Sequence, residues 1–167
     1  AFIPIFWTRE LGTSPEQGSF ALTVFFSIGI FMTYIGGLLG DKYGPIKIIR
    51  LSLLVWLPAM FLLTEVPNFS PLIMMPVAYL LLLMIGAAKA ISYSPVIVLG
   101  QTYLAKSIGF ASGITLGVSQ TIGGVIAPVV GNLADTYSLP VAMMTLVPFL
   151  IGGLGASLIL KDPKKLQ

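Results

Sequence analysis

Apolar residues run along the chain in blocks much longer than the core face of a soluble helix, separated by short polar clusters. Residues 19–39 contain no Asp, Glu, Lys or Arg. A second block starts at Ile48 and continues through 51–64 with Pro58 inside it, where a bend is expected. A third, 71–104, is apolar except for Lys89; a fourth, 108–132, is rich in glycine; a fifth covers 139–160. About 20 apolar residues at 1.5 Å each cross a hydrocarbon layer of about 30 Å. Strands of a membrane barrel would alternate polar and apolar positions, and these blocks do not. The pattern predicts an all-α integral membrane protein with five complete transmembrane helices. At about 50 Å, the third block predicts tilt, projecting ends, or a break near Pro76 or Pro95.

The breaks between blocks are short. Residues 8–18 read as a loop, with Arg9, Glu10, Pro15 and Glu16. Residues 36–50 read as a charged hinge holding Asp41, Lys42, Lys47 and Arg50. Turns are expected at 65–70, at 105–107 around Lys106 and at 134–138 around Asp135, with a polar tail at 161–167. Before the first loop, residues 2–7 are apolar, too short for a span and without the basic start of a signal peptide. They read as the stub of a sixth helix that begins upstream, so residues 1–167 are expected to be a single transmembrane domain of a partial chain.

Composition strengthens the membrane reading. Hydrophobic residues make up 56% and charged ones 9%, with a mean hydropathy of +0.98, more than one soluble core of this size can hide. The net charge of +3 is spread over several loops rather than gathered in a patch, so a lipid bilayer is the expected partner and nucleic acid is not. If each span flips the chain, Lys42, Lys47, Arg50, Lys106, Lys161, Lys164 and Lys165 fall on one side. Arg9 is the basic residue of the other, beside Glu10, Glu16, Glu65 and Asp135. The positive-inside rule puts the hinge and the C-terminus in the cytoplasm. Absence of Cys and His excludes disulfides, thiolate catalysis and the usual zinc sites. No phosphate-binding loop and no nucleophile with a base is apparent, so neither an enzyme nor a bound cofactor or metal is expected.

Gly37, Asp41, Lys42, Gly44 and Lys47 follow the pattern Gly-x-x-x-Asp-Arg/Lys-x-Gly with basic residues after it. This resembles the cytoplasmic signature between the second and third helices of each half of the major facilitator superfamily. Pro45 and Ile46 stand where that family usually has two basic residues. Gln101 to Leu104, Ala111 to Gly113, Gly123, Gly124, Pro128, Gly131 and Leu133 to Asp135 look like the last helices of its fosmidomycin-resistance branch. Gly123, Ala127, Pro128, Gly131 and Asn132 also resemble a degraded antiporter signature of the N-terminal half. The larger match and the polar ending favour the C-terminal half. The resemblance implies one half of a multi-pass inner-membrane transporter that works with an N-terminal half on a small-molecule substrate, exporting a drug-like compound in exchange for protons by alternating access. Uptake or exchange of a small organic anion is the alternative within transport; a non-transporting receptor or assembly subunit is the alternative outside it.

Independently of the family, a carboxylate such as Asp41 can sit against the N-terminus of a neighbouring helix, and Gly37 and Gly40 permit the close approach. Such a contact, made in one orientation of two halves, would act as a latch; a solvated turn that only sets topology is the plainer reading. Lys89 is the one ionisable group deep in a span, where a charge costs about 2.5 to 3.5 kcal/mol. It shares a helical arc with Tyr79, Gly86, Tyr93 and Gly100. It either faces a cavity, attracting a substrate anion or a carboxylate of the absent half, or snorkels to the cytoplasmic surface. Glycines 109, 113, 117, 124 and 131 form another arc around Gln120, best explained by close helix packing, with Gln120 bridging helices or lining a path. Thr23, Ser27 and Tyr34 form a polar face whose hydroxyls line a path or bond backbone carbonyls. The expected transport path is Lys89, Tyr93, Gln120 and Tyr34. No Asp or Glu lies inside a complete span, so a proton-relay carboxylate is expected in the absent half.

Overall fold

Prolines and small hydroxyl residues set where the helices begin. The computed structural model describes residues 2–160, and among them the helices are α1 (Ile3–Arg9), α2 (Pro15–Tyr43), α3 (Pro45–Glu65), α4 (Pro71–Tyr103), α5 (Ile108–Thr136), α6 (Leu139–Met144) and α7 (Val147–Ile159), with no strand. Single 3₁₀ turns at Val66–Asn68 and Ala105–Ser107 link α3 to α4 and α4 to α5. Pro15, Pro45 and Pro71 each open a helix, where the missing N–H costs nothing. Ser14 and Ser138 cap α2 and α6 by accepting from the main-chain N–H groups of Gln17 and Val141, both at 3.4 Å. Five helical stretches, α6 and α7 counted as one, are long and apolar enough to cross a membrane.

Two expectations about boundaries change. The hinge is not a loop: α2 continues through Asp41 and Lys42 to Tyr43, and α3 starts at Pro45. Gly44 alone separates them, at φ 95° and ψ 138°, a conformation that side chains resist. Asp41, Lys42 and Lys47 are exposed near the helix ends without ending either helix. The fifth span is divided after Met144, and Pro148 accounts for the break: it offers no N–H to the Met144 carbonyl and its ring crowds that carbonyl. By contrast α3 runs unbroken past Pro58, and α4 runs unbroken past Pro76 and Pro95. The tail at 161–167, with the sidedness of Lys161, Lys164 and Lys165, lies outside the described residues.

The short α1 is part of the core. Phe6 and Trp7 are fully buried and pack with Leu63, Leu82, Leu139 and Met143 at the end of the bundle away from Gly44. Gly18 allows α2 to press on the Pro4 carbonyl, which a Cβ would meet at 2.9 Å. A smaller cluster of Ile46, Ile49, Leu53 and Leu99 fills the Gly44 end. Helix α4 packs along α2 on one flank and α3 on the other, while α5 joins more lightly.

Two cross-chain ties fix which ends lie together. Arg9, at the end of α1, pairs with Asp135, in the last turn of α5, at 3.2 Å. Arg50, in the second turn of α3, donates through Nε (3.0 Å) and Nη2 to the Ser157 carbonyl near the end of α7. Both agree with helices that alternate in direction.

Candidate functional site

Helices α2 and α4 run side by side in the same direction. Gly86 meets Phe25 and Ile28, Gly36 meets Ile91, and Gly40 meets Pro95, so contacts advance together along both helices. The approach is closest at Gly36, where any Cβ would overlap the Ile91 carbonyl. Gly37 lies against the Ser94 hydroxyl, with 3.2 Å to the place a Cβ would occupy. Gly37 of the signature, with Gly36 and Gly40 beside it, therefore packs on α4 of this same half. Asp41, Lys42 and Lys47 are exposed at the helix ends, and the Lys42 and Lys47 ammonium groups lie 5.2 and 5.7 Å from the Tyr43 ring.

Along the seam, side chains of α2 and α4 line a groove of about 290 Å³ formed by Phe25, Phe26, Gly29, Ile30, Thr33, Gly86, Lys89, Ala90 and Tyr93. Lys89 Nζ stands 5.4 Å from the centre of the Phe25 ring. Phe25 touches the level of Gly86, almost one turn before Lys89 on α4. The lysine thus leans toward the Pro71 end of α4, as side chains on a helix incline toward its N-terminus. That direction is opposite to the Tyr103 end, to which snorkelling would take it. Position 89 is two residues from the midpoint of α4, about 3 Å along the axis and about 12 Å from the nearer face of a hydrocarbon layer centred on that helix.

The magnitudes leave the charge incompletely compensated. Placing Lys⁺ there costs about 2.5 to 3.5 kcal/mol, and a cation over an aromatic ring recovers about 0.5 to 2 kcal/mol. No carboxylate lines the groove. The ammonium retains donors for a further acceptor.

Of the other expected path residues, Tyr93 lines the groove one turn after Lys89 and is half exposed. Tyr34 is on α2 with 71% of its surface open but is not among the lining residues. Gln120 is exposed on α5 and does not line the groove either. Tyr79 packs edge-on to Trp7 and Phe20, and Gly100 faces Thr115 of α5. Thr23 donates to the Ser19 carbonyl at 3.1 Å and Thr33 to the Gly29 carbonyl at 2.8 Å, the local use foreseen for such hydroxyls. Phe25, Phe26 and Thr33 were not singled out by sequence reasoning; their position three or four residues either side of Gly29 was the available signal.

The glycine arc of α5 behaves differently from expectation. Positions 109, 113, 117, 124 and 131 have nothing within 4 Å of where a Cβ would stand, so among the described residues they pack against no helix. Instead α5 is held to α4 by contacts such as the Gln101 amide donating to the Ser112 hydroxyl at 2.8 Å. A second, more open groove of about 490 Å³ on α5 is lined by Phe110, Gly113, Ile114, Gly117, Val118, Thr121 and Ile122.

The family model of the Major Facilitator Superfamily matches residues 1–166. The chain belongs to the major facilitator superfamily. It is 30% identical over 151 residues to an uncharacterized MFS-type transporter, YfnC, of Bacillus subtilis (strain 168), covering 90% of this chain and 35% of that protein. It is 28% identical over 139 residues to the fosmidomycin resistance protein of Escherichia coli (strain K12), covering 83% of this chain and 32% of that protein. The chain thus spans about a third of the length of these curated relatives. No solved structure matches it. Five spanning helices and a short first helix fit one half of the major facilitator fold.

Proposed function

We propose that this chain is the C-terminal half of a secondary active transporter in the inner cell membrane. It would work by alternating access with an N-terminal half around a substrate site that includes the Lys89 groove. The observation that carries this reading is an ammonium held at mid-span over Phe25 in an open groove, within a member of a transporter family. In transporters substrate sites lie near the bilayer midplane at the junction of repeats. The open glycine face of α5 supports a second half that covers it, since a purely structural bundle would close such faces on itself.

The more specific reading is proton-driven export of a small drug-like compound, supported by the fosmidomycin resistance protein among the relatives. The Gly44 turn and the C-terminus face the cytoplasm, supported by the basic bias of Lys42, Lys47, Arg50 and Lys106. The intact transporter, reconstituted in proteoliposomes and given a proton gradient of either sign, tests both. Accumulation of fosmidomycin that depends on the gradient is expected; movement indifferent to the gradient excludes proton coupling, and no movement of any solute tried excludes transport.

A further inference from the structure

The chemistry of the groove selects its occupant more narrowly than the family does. Its lining contains one cation, Lys89, one phenol, Tyr93, and no acid. Thr33 spends its proton on the Gly29 carbonyl, so the donors that remain to meet a ligand are the ammonium and the phenol, one helical turn apart on α4. The apolar part is mainly aromatic: Phe25 and Phe26 stand edge to face, ring centres 5.6 Å apart, and Phe26 and Ile30 present 59% and 74% of their surface. Lys89 already covers Phe25, which leaves Phe26 and Ile30 as the free wall. A volume of about 290 Å³ is at the small end of ligand sites.

We propose that this groove binds a small organic anion bearing a flat apolar ring. The acidic head accepts from Lys89 Nζ and the Tyr93 hydroxyl, and the ring lies against Phe26 and Ile30. This rests on the transport reading for its biological role, but binding is separable from movement. An acyl chain or an apolar helix in the same place would strand the ammonium without an acceptor, and a cationic compound would meet it head-on. The anion supplies the acceptor the site lacks and forms a charge-assisted hydrogen bond with the ammonium.

The test uses the purified intact transporter and four matched probes: benzoate, phenylphosphonate, benzamide and benzylamine, each read by the shift in melting temperature across a concentration series. The two anions are expected to stabilise the protein, and the neutral and cationic probes are not. In Lys89→Gln the apparent affinity for benzoate falls by roughly 10- to 100-fold, whereas Lys89→Arg keeps the anion response. If Lys89→Gln fails to fold, Lys89→Arg and the four-probe comparison on the unaltered protein still decide. Equal stabilisation by benzamide, preference for benzylamine, no response to any probe, or an anion response unchanged in Lys89→Gln would each overturn the proposal. Destabilisation of Lys89→Gln without any anion response assigns the lysine to a carboxylate of the other half instead. A transporter that binds the anions yet moves no solute defeats the transport reading alone; one that moves solutes yet is stabilised by neither anion defeats this proposal alone.

Discussion

Gly36 lies directly on the Ile91 carbonyl, the acceptor to which Pro95, four residues on, can supply no N–H. The proline weakens one turn of α4 at the place where the glycine lets the α2 backbone come closest. Gly36→Ala is therefore expected to force the two helices apart, at a cost of about 1 to 3 kcal/mol. Gly29→Ala, whose Cβ would stand 4.0 Å from Ala90, is expected to change stability little. Melting curves of the two variants in detergent check this; equal loss would show that the seam is not tight at Gly36.

Gly44 carries the whole reversal between α2 and α3 at a positive φ. Gly44→Ala is expected to cost about 1 to 3 kcal/mol through backbone strain. Gly12→Ala, at φ 64° with open space around it, is expected to cost less. Folded yield and melting temperature of the pair would rank them.

Arg50 holds the last turn of α7 by two donors on the Ser157 carbonyl, and Ser157 itself is buried. A cation at the carbonyl end of a helix also complements its dipole. Arg50→Gln is expected to let that turn fray. Amide exchange at residues 154–160, followed by mass spectrometry, should speed up by roughly tenfold for each 1.4 kcal/mol lost, with little change in α1.

The Arg9 and Asp135 side chains are 62% and 73% exposed, so Asp135→Asn is expected to shift stability by less than about 1 kcal/mol. Their proximity is more useful as a ruler. This stretch has no cysteine, so paired Arg9→Cys and Asp135→Cys should be joined by a short bifunctional thiol reagent that spans the gap the longer side chains fill. Single cysteines at 135 and 106 should react with an impermeant thiol reagent from opposite sides of the membrane, 135 from outside in intact cells. Labelling of both from one side would refute the alternating arrangement.

Five spans were legible because each is a block of about 20 apolar residues, a signal that no tertiary context can easily overturn. The ends of α2 and α3 were less so, because charge marks where a helix meets water and only Gly44 with Pro45 marks where it stops. Pro148 divided the last span while Pro58, Pro76 and Pro95 divided nothing, so a proline in the sequence did not by itself mark a helix end. Lys89 and Tyr93 stood out as polar positions sharing an arc, but Phe25, far away in sequence, could be placed only by the pairing of α2 with α4. Likewise glycines at helical spacing on α5 permit a close neighbour without supplying one, whereas Gly36 and Gly86, in equally ordinary surroundings, are where backbones meet.

The walls of the Lys89 groove belong to α2 and α4, and those helices are pressed together at Gly36 and Gly40, so both walls stand on one tightly packed helix pair. A solute seated there would be carried with its binding surface intact through any rocking of the half, and its exposure to either face of the membrane would be decided by whatever lies across the mouth. A gate and such a seat would then be separate parts, open to separate mutation.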